Sequence, residues 1–186
     1  MWLLPLVPVI AGAVVIAMAL RSDDDEPAAI ELTSSAADFT TADGLVAGSD
    51  LVVAATVVDV ADGRQISAPG DPSAAIRTRL LVLDVSDVLA GSVSGDVIVE
   101  EPATVGDGTP VLVDGMQPID VGDEAVWFLV AGDAETMPYY AVVNRQGRYV
   151  VTGDKLRAAS DDALSTELAE LGMPGLTDRV ERLVDG

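Results

Sequence analysis

The sequence predicts a mainly β domain: an antiparallel barrel of five or six strands, with an N-terminal transmembrane helix before it and two short C-terminal helices after it. Three observations point to this arrangement. Valine-rich apolar runs alternate with clusters of Gly, Pro and Asp, a pattern typical of strands and turns. Residues 2–20 carry no charged side chain. Near the C terminus, leucines recur at helical spacing.

The apolar N-terminal segment is long enough to cross a bilayer. A helix over residues 2–20 spans about 28 Å, close to the hydrocarbon thickness of about 30 Å. We therefore predict a membrane anchor over residues 1–21. One alternative is a secretory signal, in which Pro5 and Pro8 shorten the helix and residues 17–19 supply the small-residue cleavage pattern. A buried core helix is the third interpretation.

Residues 22–37 are predicted to be an acidic linker, because they combine four consecutive acids with Pro27 and two serines. Only one basic residue flanks the apolar segment to indicate its orientation in the membrane. Arg21 alone would place the following domain in the cytoplasm by the positive-inside rule. A domain directly after a signal-like segment is usually exported, so we expect a single-pass protein of the cell membrane with its domain outside the cytoplasm. Secretion after signal cleavage is the alternative.

The predicted barrel occupies residues 38–157. A marginal helix over residues 41–49, capped by Thr40 or Thr41, comes first. Apolar, β-branched stretches then mark the expected strands, the first of them apolar enough to be buried on both faces. These strands cover residues 51–60, 76–88, 96–101 and 124–130.

Turn residues set the expected connections. Asp62-Gly63 and residues 69–73 are predicted to break the chain, and residues 104–120 to form a loop with short extended pieces. A bulge is expected where Asp84 and Asp87 interrupt an apolar strand. Residues 139–144 and 148–152 are predicted to pair as a hairpin.

Apolar positions within the strands predict the core. We expect six side chains to be buried: Val53, Val57, Val82, Val99, Trp127 and Leu129.

The C-terminal region, residues 158–186, is predicted to be helical. Ser160 is the expected cap of the first helix, whose apolar face carries leucines at helical spacing. Pro174-Gly175 is expected to end it, and Thr177 to cap a second short helix.

The composition excludes several functional classes. The formal net charge is -21 and Lys155 is the only lysine, so nucleic acid is not an expected partner. The chain has no cysteine and no histidine, which excludes disulfides, thiol chemistry, cysteine or histidine zinc sites and histidine-based catalysis. We interpret the charge as a source of solubility or an adaptation to salt. Calcium binding by some of the acids is the alternative.

No residue pattern predicts an active site. Lys155 lies in a turn with no serine motif, and Glu100 and Glu101 are expected to point to opposite faces of a strand. The acids Asp161 and Asp162 suit the start of a helix. Residues 106–109 are explained by turn chemistry, and Arg64, Arg145 and Arg148 by solvent exposure. We therefore predict no catalytic residue, no cofactor and no metal ligand.

Five segments carry a resemblance to a known class. They are residues 50–57, 79–85, 88–91, 121–124 and 127–129. In chain order, these segments contain an aspartate followed by an apolar strand, then a long strand that ends in a leucine-x-glycine turn. A glycine-acid pair and an aromatic strand come last. This pattern resembles bacterial exported OB-like β-barrel domains, and it is similar to the netrin-like and metalloproteinase-inhibitor-like domains.

The resemblance covers roughly residues 45–152 and implies an OB-like antiparallel barrel. The sequence departs from the inhibitor branch, which uses a cysteine-led N terminus and disulfides. A glycine usual in the first strand is Ala55 here. The resemblance therefore carries a fold and no functional residue.

The predicted function is a non-catalytic binding module outside the cytoplasm, tethered to the membrane through residues 2–20 or exported. OB-like barrels bind through one sheet face and its loops, which here would include residues 104–120. We expect an envelope protein as a partner. The alternatives are a hydrolase that uses carboxylates with a bound metal and a purely structural envelope protein.

Overall fold

The computed structural model describes residues 29–34, 36–68, 71–106, 108–133 and 137–185. The predicted anchor lies outside these residues. The elements follow in chain order: β1 (Ile30–Leu32), α1 (Ala42–Ala47), β2 (Leu51–Ala68), β3 (Asp71–Ala90), β4 (Val97–Val105), β5 (Thr109–Val113), β6 (Glu124–Ala131), β7 (Tyr140–Val142), β8 (Arg148–Thr152), β9 (Lys155–Ala158), α2 (Ala163–Glu170) and α3 (Gly172–Asp185).

Five strands close into a barrel. β4, β3, β2, β6 and β7 are neighbours in that order, and β7 returns to β4 through a parallel bridge between Tyr140 and Val99. The prediction of a mainly β chain with a closed barrel is confirmed. Within the described ranges, none of the helices is both long and apolar enough to cross a membrane.

The seam where the barrel closes is only partly paired. On the edge of β4 that faces away from β3, Val99 pairs with β7, whereas Thr104 and Val105 pair with β5. Among the described strands, none pairs with residues 100–103 on that edge. This gap opens the mouth of the barrel to one side.

Two apolar cores lie on the two faces of the central strands. Val53, Val57, Val99, Trp127 and Leu129 belong to the inner core that fills the barrel. An outer core packs the helices against the barrel wall, and it includes Val52, Val126, Phe128, Tyr149, Leu168 and Leu176. The prediction that the first long strand is buried on both faces is confirmed for residues 51–55.

The prediction that Val82 belongs to the core is wrong. Val82 is only half-buried, because β3 directs Leu81 and Leu83 into the inner core and successive side chains of a strand alternate between faces. The bulge expected between Asp84 and Asp87 is confirmed. Val85 pairs with Ala55 and Asp87 pairs with Ala54, which leaves Ser86 as the extra residue.

The predicted break at Asp62-Gly63 is wrong, since β2 continues to Ala68 and pairs with β3 beyond that point. A register shift between Asp62 and Gln65 accommodates Gly63. A Cβ at Gly63 would lie 2.2 Å from Thr78 Oγ1, so the glycine allows a close crossing of the two strands rather than a turn. β2 and β3 therefore form a long arm beyond the barrel.

Two further connections differ from the predictions. β7 and β8 do not form a hairpin, because both pair with the same edge of β6 and residues 143–147 bulge between them. The hairpin is instead formed by β8 and β9 around Gly153. The short extended pieces predicted within the loop at 104–120 are present as the end of β4 and as β5.

The chain ends and helix boundaries also differ in detail. The predicted linker contains β1, which pairs in parallel with β5. Thr41 caps α1 as predicted, but the cap of α2 is Asp162 rather than Ser160. Pro174-Gly175 does not end the first C-terminal helix as predicted. α2 ends at Glu170, and Pro174 lies in the first turn of α3, where proline is tolerated.

Candidate ligand site at the barrel mouth

Two arginines share one carboxylate at the mouth of the barrel. Arg79 on β3 donates from Nε to Glu101 Oε1 at 2.8 Å, and its Nη2 contacts the same oxygen. Arg148 on β8 donates from Nη1 to Glu101 Oε2 at 3.1 Å. Both oxygens of Glu101 therefore accept from guanidinium groups, and the cluster carries an excess of positive charge.

Strand register explains why the cluster faces inward. Arg79 and Glu101 are direct partners in the β3–β4 ladder, and they share side-chain parity with the core residues Leu81 and Val99. Arg148 likewise shares parity with Val150. The three charged side chains consequently sit where the inner core ends.

Arg148 is the most enclosed of the three, with a side chain only 3% exposed. Its guanidinium carbon lies 5.7 Å from the ring centroid of Trp127, its direct cross-strand partner. Its Nη2 donates to the backbone oxygen of Gln117, which holds the segment after β5 across the mouth. Burial lowers the pKa of Arg148 from its usual value, whereas the adjacent Glu101 opposes that shift.

The contact between Arg148 and Trp127 leaves hydrogen-bond donors unused. Among the described residues, neither Arg148 Nε nor Trp127 Nε1 has an acceptor, and both atoms are shielded from solvent. Buried donors without acceptors are uncommon in folded proteins. Two buried donors without acceptors thus lie at the contact between Arg148 and Trp127.

A cleft of about 260 Å³ opens above this cluster. Its charged floor is Arg79, Glu101 and Arg148. Its walls are largely apolar and come from the end of β4, from β5 and from the segment after it; they include Pro102, Pro110, Val111, Val113, Met116 and Pro118. Mouths of β-barrels are common ligand sites, and a mainly apolar lining with a few convergent polar groups is typical of them.

The other charged residues considered in the sequence lie apart from this cleft. Arg64 pairs with Glu100 and Arg145 with Asp38, so the three arginines form no basic patch. Glu100 and Glu101 bind different arginines, in agreement with their expected opposite faces. Lys155 is exposed at the start of β9.

A second polar network has a structural role. Asp162 accepts from the backbone N–H groups of Leu164 and Ser165 at the start of α2, and also from Gln146 Nε2 at 3.0 Å. Although burial opposes it, hydrogen bonds from Ser160, Ser165 and Gln146 hold the pKa of Asp162 well below its usual value. Gln146 also bonds both backbone groups of Phe39. The network ties α2 and the segment before α1 to the bulge between β7 and β8.

The sequence does not predict the cleft, because the pattern around Arg148 indicates an exposed hairpin. One signal could have found it. If Val150 faces the core, Arg148 must face it too, and a buried arginine requires a carboxylate partner.

In the part of the chain that the structure describes, no group of three or more carboxylates is close enough together to hold a metal ion.

In comparisons with known proteins, no protein-family model matches the chain, and no curated protein matches it significantly.

Proposed function

We propose that the chain is a non-catalytic binding module with an OB-like barrel, which takes a small ligand in the cleft at its mouth. The cluster of Arg79, Glu101 and Arg148 beneath an apolar cleft is the observation that carries this proposal. The strand order supports the OB-like assignment, because an OB-fold is a five-stranded Greek-key barrel that binds through a sheet face and adjacent loops. The segment 104–120, which the sequence suggested for binding, supplies much of the wall.

The state of Glu101 argues for binding rather than hydrolysis. A carboxylate that activates water needs an oxygen free to accept its proton. Oε1 of Glu101 accepts two N–H groups of Arg79 and Oε2 accepts one of Arg148, so most of its acceptor sites hold the arginines and the group is better placed to organise charge than to take a proton from water.

A fragment screen tests the binding proposal. The full chain with Trp2→Phe, purified in detergent, retains Trp127 as its only tryptophan, and its ring contacts Arg148 of the cleft floor. Acidic, basic and neutral fragments are titrated while Trp127 fluorescence is recorded. We expect some fragments to give saturable changes in fluorescence, and Val113→Phe, a bulkier side chain at a half-buried position of the cleft wall, to remove them. If no class of fragment binds, the protein is better explained as a structural envelope component.

The location proposed for this module is the outer face of the cell membrane, with residues 2–20 as the tether. The motivating feature is the uncharged apolar stretch. N-terminal sequencing of the protein isolated from membranes should find Met1 or a residue close to it. A mature N terminus at Arg21 or later would instead establish a cleaved signal and a released protein.

A further inference from the structure

We infer that the cleft recognises a monocarboxylate with a small apolar body, and that Arg79 binds this carboxylate in place of the Asp120 side chain. The inference rests on the proposed binding function and names the ligand class of the same site. The carboxylate can belong to a free organic acid or to the C terminus of a peptide.

Arg79 retains donor capacity at the cleft. Its Nε and Nη2 are used by Glu101, but its Nη1 makes no hydrogen bond within the described residues. The nearest acid to Nη1 is Asp120, whose Oδ1 lies 3.7 Å away, beyond hydrogen-bond distance. The Asp120 side chain is 83% exposed, so an incoming carboxylate can displace it at little cost.

The charge of the cluster favours an incoming anion. Two guanidinium groups face one enclosed carboxylate, and Arg157 adds to the positive field at Arg148. A single added negative charge would balance the enclosed pair of arginines. A phosphate, with a charge near two, would exceed the single excess positive charge of the cluster and meet stronger repulsion from Glu101 than a monocarboxylate does.

The walls set the shape of the ligand. The cleft volume of about 260 Å³ lies just below the range of about 300–1,000 Å³ typical of small-molecule sites, so the cleft suits one small apolar group beside the carboxylate. Proline rings and the side chains of Val111, Val113 and Met116 offer dispersion contacts and no charge to such a group. Acetylated valine matches these properties.

The test compares matched probes on the full chain carrying Trp2→Phe. N-acetylvaline is compared with N-acetylvaline amide, and a pentapeptide ending in valine with its amidated form. Trp127 fluorescence reports binding. We expect each acid to bind about tenfold or more tightly than its amide, because a charge-assisted hydrogen bond is lost in the amide. Preference for the free acid or for the peptide identifies the source of the carboxylate, and either supports the inference.

Single substitutions test which residues cause the preference for the acid over the amide. Asp120→Asn should raise the affinity for the acids about two- to fivefold and leave the amides unchanged, because it removes an exposed internal competitor. Arg79→Gln should abolish the preference for acid over amide, while Arg145→Gln, which removes a remote ion pair, should preserve it. Equal binding of acid and amide overturns the inference and leaves the binding function standing. Absence of binding by all four probes also overturns it, and the fragment screen then decides the binding function separately.

Discussion

The guanidinium of Arg148 lies over the ring of Trp127, with 5.7 Å between its central carbon and the ring centroid. The two residues are direct partners across β8 and β6, so the register of one ladder places a charge at the boundary of the inner core. The charge is tolerated there because Glu101 accepts a hydrogen bond from it.

Replacing Arg148 should destabilise the fold strongly. Arg148→Gln removes a charged hydrogen bond to Glu101, which keeps Arg79 as a partner, and leaves the Gln117 backbone oxygen without its donor, so we expect a loss of about 2 kcal/mol in the free energy of unfolding. Arg145→Gln is the matched control, because its ion pair with Asp38 is partly exposed and should contribute less than about 1 kcal/mol. Urea denaturation of both variants measures the difference. Equal losses would show that burial does not set the value of the pair.

Neighbouring valines on β2 should respond oppositely to the same substitution. Val57 is fully buried in the inner core, whereas Val58 is 48% exposed. Val57→Asp should unfold the domain, since an unpaired buried charge costs several kcal/mol. Val58→Asp should leave a cooperatively folded protein with a stability change within about 1 kcal/mol. Thermal melts followed by circular dichroism distinguish the two, and a well-folded Val57→Asp variant would contradict the strand register.

The contrast between these valines shows what the sequence could predict. Apolar runs in β2 and β6 identified the central strands, because such segments require burial on both faces. Alternation failed at Val82, where a continuous apolar run from Leu80 to Leu83 contains no polar residue to fix the face. The choice between the faces came from pairing with β2 and β4, which is tertiary information.

The candidate site was harder to predict than the fold. Arg79 and Glu101 are partners on the consecutive strands β3 and β4, whereas Arg148 lies on β8, far along the chain. Each resembles an exposed charge on its own strand. Only long-range strand pairing brings Arg148 to the other two, because β8 continues along the edge of β6 that β7 leaves free.

The ionised side chain of Asp162 should stabilise the fold at neutral pH and lose this contribution in acid. Its folded-state pKa is depressed, so in acid the unfolded chain takes up a proton before the folded one does. Its contribution is therefore fully present above the unfolded value of about 4 and is lost as the pH falls below it. Asp162→Asn retains an effective helix cap but not the charge.

Denaturation from pH 7 to pH 2 measures this contribution. We expect the parent to exceed Asp162→Asn in stability at pH 7, and the difference to shrink steadily below pH 4. The exposed neighbour Asp161 supplies a control for the substitution itself, and Asp161→Asn should change the stability at pH 7 by less than about 0.5 kcal/mol. A difference that stays constant down to pH 2 would mean that the charge of Asp162 does not contribute.

Salt should stabilise the whole protein. The 31 acids exceed the 10 bases, so most carboxylates have no basic partner and repel one another. The pairs seen at Arg79 and Arg148 are partly or largely enclosed, and they are screened less than exposed charges. Screening therefore acts mainly on the repulsion, and moderate sodium chloride should raise the melting temperature by a few degrees, the equivalent of about 1 kcal/mol.

Calcium chloride at matched ionic strength separates screening from binding, because a specific calcium site would add a saturable increase at far lower concentration. A melting temperature that falls with sodium chloride would show that favourable ion pairs dominate the surface, against the expectation from the net charge.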